Sequence, residues 1–247
     1  MNAVILAGGL GKRLQPFTQV VPKPLLPVGE SSVLEIQVVS LRNHGVTDIY
    51  IATYYRADYI RAFLGDGSAH GVRVHYSTEP KPLGTCGPVT LLKEELTEPF
   101  LMMNGDILTT LDFSALYRFA TRKDADLTVV TKEITTPCNF GEVTAEGEYI
   151  LEVEEKPDFR FEIVAGIYVL KPPVFELIPE NTYYGIDNLI KDMLRRGLPV
   201  ARYLTEDYWL DIGQVDDYQV AQEAYGEHFN DLERGNANGE NRGADTG

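Results

Sequence analysis

Short apolar runs recur along the chain, each stopped by glycine, proline or charge. The first, residues 3–7, reads as the core of a strand over 2–7 that ends at Gly8 and Gly9. Ser32-Val-Leu-Glu35 has capping-box spacing and opens a helix that Gly45 can close. The pattern then predicts a strand over 47–53, a short helix over 57–64 and a strand over 72–77. Residues 87–94 read as helical, 100–103 as a strand, 113–122 as a helix and 127–131 as a strand. Such alternation predicts a mostly parallel sheet with helices on both faces.

The second half changes character. Residues 141–144 and 149–154 read as a hairpin around Ala145-Glu-Gly147, followed by a strand over 164–170. A helix over 187–196 is closed by Gly197, a strand follows over 200–204, and a terminal helix covers 215–228. Residues 230–247 are rich in Gly, Asn and charge and nearly free of apolar side chains, which predicts a disordered tail after one domain over 1–229.

Composition narrows the classes. At 247 residues the chain can bury a sizeable core. No run of 18 apolar residues occurs, so no membrane span is expected, and no basic leader is seen. The formal charge of −15 disfavours nucleic acid or an anionic membrane as partner. Cys86 and Cys138 suggest neither a disulfide framework nor a metal cluster. A cytoplasmic protein is expected, and a homo-oligomer is compatible with the sequence. The four histidines, at 44, 70, 75 and 228, read as structural or solvated residues of helix ends and loops.

Against this acidic background the N-terminus stands out. Gly8, Gly9 and Gly11 are followed by Lys12, Arg13 and Lys23, and no acid precedes Glu30. Bare backbone N–H groups and cations are what a polyphosphate needs. The loop is not a P-loop, because Leu6 stands at the first position and Arg13 at the last. It is not a dinucleotide fingerprint either, because Leu14 stands where a small residue is required. Leu6-Ala-Gly-Gly-Leu-Gly-Lys-Arg-Leu14 followed by Pro22-Lys-Pro24 instead resembles the signature of the sugar-phosphate nucleotidyltransferases. The resemblance implies a Rossmann-like, glycosyltransferase-A-like α/β fold with a mixed, mostly parallel sheet.

It also implies a reaction between a nucleoside triphosphate and a sugar 1-phosphate that releases pyrophosphate. The attacking phosphate oxygen is already ionised, so the site needs charge neutralisation and positioning rather than a nucleophilic side chain. By resemblance Arg13, Lys23, Asp106, Lys156 and Asp211 carry the chemistry, and Asp106 and Asp211 hold Mg²⁺. Leu6, Ala7, Gly8, Gly9, Glu79, Gly84, Thr85 and Gly105 form the nucleotide side. Gly141, Glu155, Lys156 and Gly166 form the sugar-phosphate side.

Base choice rests on Glu79, five residues before Gly84-Thr85. An ionised carboxylate accepts two hydrogen bonds, and guanine offers adjacent N1–H and N2–H₂ donors. The block resembles mannose- and heptose-1-phosphate guanylyltransferases, which points to GTP; a surface Glu79 paired with Lys81 is the competing reading. UTP, dTTP, CTP and ATP remain alternative donors. Val164-Ala-Gly166 departs from the Asn-Ala-Gly of those relatives and leaves the sugar open. Two other classes compete with this reading. An inactive regulatory relative would be expected to lack part of the cation and carboxylate set, and a dehydrogenase fails on glycine spacing.

Overall fold

A computed structural model describes residues 1–230; the expected tail from residue 231 onward lies outside the described residues. In chain order the elements are β1 (Asn2–Leu6), β2 (Pro27–Val28), β3 (Ser31–Ser32), α1 (Val33–Asn43), β4 (Asp48–Thr53), α2 (Ala57–Leu64) and β5 (Arg73–Thr78). Then come β6 (Phe100–Asn104), β7 (Ile107–Thr109), α3 (Phe113–Arg122), β8 (Leu127–Pro137), β9 (Gly141–Glu146) and β10 (Tyr149–Glu155). The chain continues through β11 (Asp158–Leu170), α4 (Ile186–Arg195), β12 (Val200–Thr205), β13 (Trp209–Asp211) and α5 (Val215–His228).

Seven strands form the central sheet in the order β12-β8-β11-β6-β1-β4-β5. Pairing is parallel except at β11, which runs antiparallel to both β6 and β8. The expected mixed, mostly parallel sheet is therefore present. Side chains alternate across it. Ala3 and Ile5 of β1, and Ala7 just after it, belong to a core shared with Leu34, Ile60 and Phe113 of α1 to α3. Val4 points to the opposite core, shared with Leu189 and Met193 of α4. A third cluster joins Leu14, Val28, Ile212 and Ala221, so α5 packs on the segment that follows the glycine loop.

The capping box is formed: Glu35 N–H donates to Ser32 Oγ at 3.1 Å, and Ser32 N–H donates to Glu35 Oε2 at 2.8 Å. Residues 87–94, expected as a helix, form instead a 3₁₀ segment over Gly87–Leu92. Gly87 and Pro88 at its start favour the tighter turn, whose Thr90 hydroxyl donates to the Gly87 carbonyl.

The larger correction concerns β8 and β11. The strands expected over 127–131 and 164–170 run on to Pro137 and back to Asp158. Their outer halves pair from Thr131↔Val164 to Pro137↔Asp158, beyond the helix-covered core. None of their residues over 131–137 and 158–164 is buried, so they lack the apolar run that marked their inner halves. The expected hairpin sits at the tip of this arm as β9 and β10, with its turn at Gly147-Glu148 rather than over Ala145-Glu-Gly147. His75 lies in β5, within the strand expected over 72–77 and not in a helix end or loop; it stacks on Tyr50 and contacts Asp48.

Candidate active site

β1 delivers the glycine loop to the carboxyl end of the sheet, where open α/β sheets bind ligands. A cavity of about 480 Å³ opens there. Its lining includes Leu6, Gly8, Gly9, Glu79, Gly84, Thr85 and Asp106, all expected from sequence. The size falls within the range of small-molecule pockets. Ala7 is buried behind it, its N–H donating to the Ala52 carbonyl. Gly105 abuts β1: its N–H donates to the Leu6 carbonyl at 2.9 Å, and a Cβ there would meet that oxygen at 2.8 Å.

Gly8 is a glycine because Glu79 is there. A Cβ at Gly8 would lie 2.5 Å from Glu79 Oε1. Glu79 is 7% exposed, and its Oε2 accepts the Leu83 N–H at 2.8 Å. Burial raises its carboxyl above the ordinary range, and the Leu83 N–H opposes the shift. Among the described residues it forms no ion pair with Lys81, so the surface-pair reading is overturned. Thr85 Oγ1 accepts the Ile186 N–H at 2.7 Å and so fixes the start of α4 to the cavity wall.

The two acids meet through a pair of short strands that sequence reasoning missed. β7 and β13 pair antiparallel, with Ile107 opposite Asp211. Ile212 N–H donates to the Asp106 carbonyl at 3.0 Å. Lys23 Nζ donates to Asp106 Oδ2. Asp106 Oδ1 and Asp211 Oδ1 are buried and find no protein partner. Burial, then the charge of Asp106, raises the Asp211 carboxyl, while Lys23 and Arg13 pull it down. Orphaned carboxylate oxygens beside polyphosphate-seeking cations fit a hard divalent cation. The described residues contain no group of three or more His, Cys, Asp or Glu suited to a metal, so such an ion would draw its other ligands from substrate oxygens or water.

Arg13 follows the glycine loop, with its guanidinium 3.4 Å from where a Cβ would stand on Gly213. Asp217 Oδ2 accepts the N–H groups of Gly213 and Gln214 and holds the turn after Asp211. Gln37, buried on α1, donates to the carbonyls of Asn104 and Ile107 and braces the corner that carries Asp106. Neither residue was expected. The only signal for Gln37 was a polar residue amid an apolar helix. Tyr54 and Tyr183 add walls to the cavity.

The sugar-phosphate residues divide. Gly166 is at the site: its φ of +71° and a built Cβ 2.7 Å from Asn104 Nδ2 leave room for glycine alone. Gly141, Glu155 and Lys156 lie on the arm, outside the cavity lining. Gly141 and Glu155 are paired, and Lys156 has a left-handed φ of +52°.

Residues 2–228 match the family described as nucleotidyl transferase. A probable mannose-1-phosphate guanylyltransferase of Oryza sativa subsp. japonica is 32% identical over 91% of this chain and 64% of its own length. A UTP–glucose-1-phosphate uridylyltransferase of Synechocystis is also 32% identical, over 90% of this chain and 62% of its own. This chain thus spans under two thirds of those relatives. Among solved structures, a putative glucose-1-phosphate thymidylyltransferase from Bacillus anthracis superposes with a TM-score of 0.75 at 28% identity, covering 90% of this chain and 94% of that one. HddC from Yersinia pseudotuberculosis superposes at 0.72 and 26% identity, covering 91% and 99%.

Proposed function

The chain belongs to the nucleotidyl transferase family, and from that premise we propose that it joins a nucleoside triphosphate to a sugar 1-phosphate. An oxygen of the sugar phosphate attacks the α-phosphorus. The bond from that phosphorus to the α,β-bridging oxygen breaks, and the bridging oxygen leaves with pyrophosphate. The second pKa of a phosphate is about 6, so the attacking group is mostly ionised at neutral pH and no side chain must take its proton.

The observation that carries this reading is the pair Asp106 and Asp211, each with a partnerless buried oxygen and both close to Lys23, with Asp106 lining the glycine-loop cavity. Two polyanions can approach only where their charge is offset. Lys23 and Arg13 supply fixed cations on the triphosphate side, and the bare loop offers backbone donors. Asp106 and Asp211 would hold Mg²⁺, which when bound neutralises phosphate oxygens. Lys156 binds the acceptor phosphate and Glu155, Gly141 and Gly166 its sugar.

GTP is the proposed donor. Glu79 offers the cavity a carboxylate oxygen not engaged by Leu83, suited to the adjacent donors of guanine. The HddC structure with GMP-PN superposes at 0.71. Such substrates belong to the cytoplasm, and no helix among the described residues is long and apolar enough to cross a membrane.

A matrix of GTP, UTP, dTTP, CTP and ATP against sugar 1-phosphates, read by pyrophosphate release, tests the proposal. Turnover with GTP and one sugar phosphate is expected. Release of no pyrophosphate from any pair would overturn the reaction, and a preference for UTP or dTTP would overturn the base.

A further inference from the structure

Residues 14–22 join the two cations given to the donor triphosphate, Arg13 and Lys23. The segment is an exposed excursion: between its buried ends, Leu14 and Pro22, Thr18 is the one buried residue. Its internal bonds are short-range, from the N–H groups of Gln19, Val20 and Val21 to the carbonyls of Pro16 and Phe17. Thr18 Oγ1 donates to the Gly11 carbonyl at 2.7 Å, which ties the excursion to the glycine loop. The Phe17 ring leans on Tyr218 of α5, with centroids 5.9 Å apart. Hydrogen bonds that fasten the segment to the sheet side come from Arg56, in the turn between β4 and α2. Its terminal nitrogens donate to the carbonyls of Gln19 and Val20, the latter at 3.0 Å.

Arg56 has a left-handed backbone, with a φ of +54°. Glycine adopts that conformation freely, and an L-residue only at a cost. The side chain does not offset the cost within its own helix, because Arg56 caps α2 without a side-chain hydrogen bond to it. Nor does it reach a ligand, since Arg56 lies outside the cavity lining. Its Nε donates to the Tyr55 hydroxyl at 2.9 Å, and the guanidinium lies 5.3 Å and 5.0 Å from the ring centroids of Tyr55 and Tyr59. Two rings and a hydroxyl thus hold one planar fork against two main-chain carbonyls. The same turn carries Tyr54, which lines the cavity and whose Cβ lies 3.3 Å from where a Cβ would stand on Gly8. Ile60 and Leu64 root α2 in the core behind it.

We propose that Arg56 is a positioning residue for the donor triphosphate. It fastens residues 14–22 to the β4–α2 turn, so that Arg13 and Lys23 face the phosphates before the nucleotide arrives. The inference rests on the reading of those two cations as triphosphate contacts. A nucleotide that must first order the chain between them binds only the fraction of molecules in which that order exists. Immobilising two long cationic side chains at the moment of binding adds to the loss. The strain at Arg56 has a use on this account. A glycine in its place would relax the turn and release the loop.

Calorimetric titration of the full chain with GTP, UTP, dTTP, CTP and ATP, without sugar phosphate, tests this apart from turnover. Arg56→Gly keeps the left-handed backbone and removes the guanidinium. Its melting temperature should equal or exceed the native value. Its affinity for the best-bound triphosphate should fall roughly 10-fold, the loss expected when the competent loop is populated a tenth of the time. The amides of Gln19, Val20 and Val21 should exchange faster than in the native chain. Arg13→Ala combined with Arg56→Gly should lose less than the sum of the single losses, because one residue acts through the other. Native affinity in Arg56→Gly, unchanged exchange at those amides, or additive losses would overturn the proposal and leave the transferase reading intact. A loss of affinity that comes with a lower melting temperature would mark a merely structural residue and overturn it too. Failure of the native chain to bind any of these triphosphates would overturn the transferase reading, and this proposal with it.

Discussion

The main-chain N–H of Ile212 donates to the carbonyl of Asp106 across 3.0 Å, and this single bond ties together two acids from distant segments of the chain. Asp106 sits at the turn between β6 and β7, and Asp211 ends β13. The ladder between β7 and β13 sets their separation, so either side chain can be altered without moving the other's backbone.

Asp106→Asn and Asp211→Asn keep size and remove charge. Each is expected to lower turnover by at least ~10²-fold, as for loss of one strong transition-state stabiliser. The double variant should be little worse than either single one, because both break one assembly. The check is pyrophosphate release at saturating Mg²⁺. Near-native turnover in one variant would remove that residue from the proposed site.

The same Asp211 substitution should stabilise the fold. Burial and the neighbouring Asp106 raise the Asp211 carboxyl above its ordinary value of 3.8, so the folded chain retains a proton that the unfolded chain has released. Stability contributed by this group falls as the pH rises through that window and stays lost at neutral pH. Asp211→Asn escapes the loss. Without added metal its melting temperature at neutral pH should exceed the native value by a few degrees, at ~2–4 °C for each kcal/mol in a chain of this size. The gain should shrink as the pH approaches the ordinary carboxylate range. An unchanged or lower melting temperature at neutral pH would show that the site does not strain against its own charge.

The nucleotide side of the site was legible because each of its signals is local. Gly8 directly follows the apolar run of residues 3–7, Gly84 adjoins Thr85, and Gly105 and Asp106 directly follow the apolar strand β6. The remainder was hidden where the evidence is long-range. β7 and β13 are three residues each, too short to show a period, and exist only because they find each other. The arm of β8 and β11 carries no buried face and therefore no apolar run. Gln37 and Asp217 act through main-chain groups of other segments, which no spacing within their own helices announces.

Arg13 and Lys156 should separate the two substrates. Arg13 lies by Gly213 near the carboxylate pair, whereas Lys156 lies at the outer end of the arm, where β10 gives way to β11. Arg13→Ala is expected to weaken binding of the triphosphate alone. Lys156→Ala should leave that binding largely intact and raise KM for the sugar phosphate. Lys156 holds a left-handed φ of +52°, which an L-residue adopts at a cost, so Lys156→Gly should stabilise the fold while losing the same activity. Titration calorimetry with nucleotide alone gives the first comparison. A large loss of nucleotide affinity in Lys156→Ala would reverse the assignment.

Base choice should turn on one oxygen of Glu79. Its Oε2 already accepts the Leu83 N–H, and a carboxamide placed there would have to turn its own oxygen toward that donor. Glu79→Gln would therefore point its NH₂ group to the place where Oε1 now lies against Gly8. An acceptor facing the cavity becomes a donor. Guanine, which presents donors, should lose ground, and a base presenting a carbonyl should gain. The native enzyme should prefer GTP to inosine triphosphate, which lacks the 2-amino group, by about 1.5–3 kcal/mol, the worth of one charge-assisted hydrogen bond. Glu79→Gln should narrow that gap and raise kcat/KM for UTP or dTTP relative to GTP. Gly8→Ala gives an independent handle, because its Cβ would stand 2.5 Å from Glu79 Oε1 and force the carboxylate aside. It should erode the same preference without removing the charge. The measurement is kcat/KM for each triphosphate with one accepted sugar phosphate. A GTP preference that survives both substitutions would place base recognition elsewhere in the cavity.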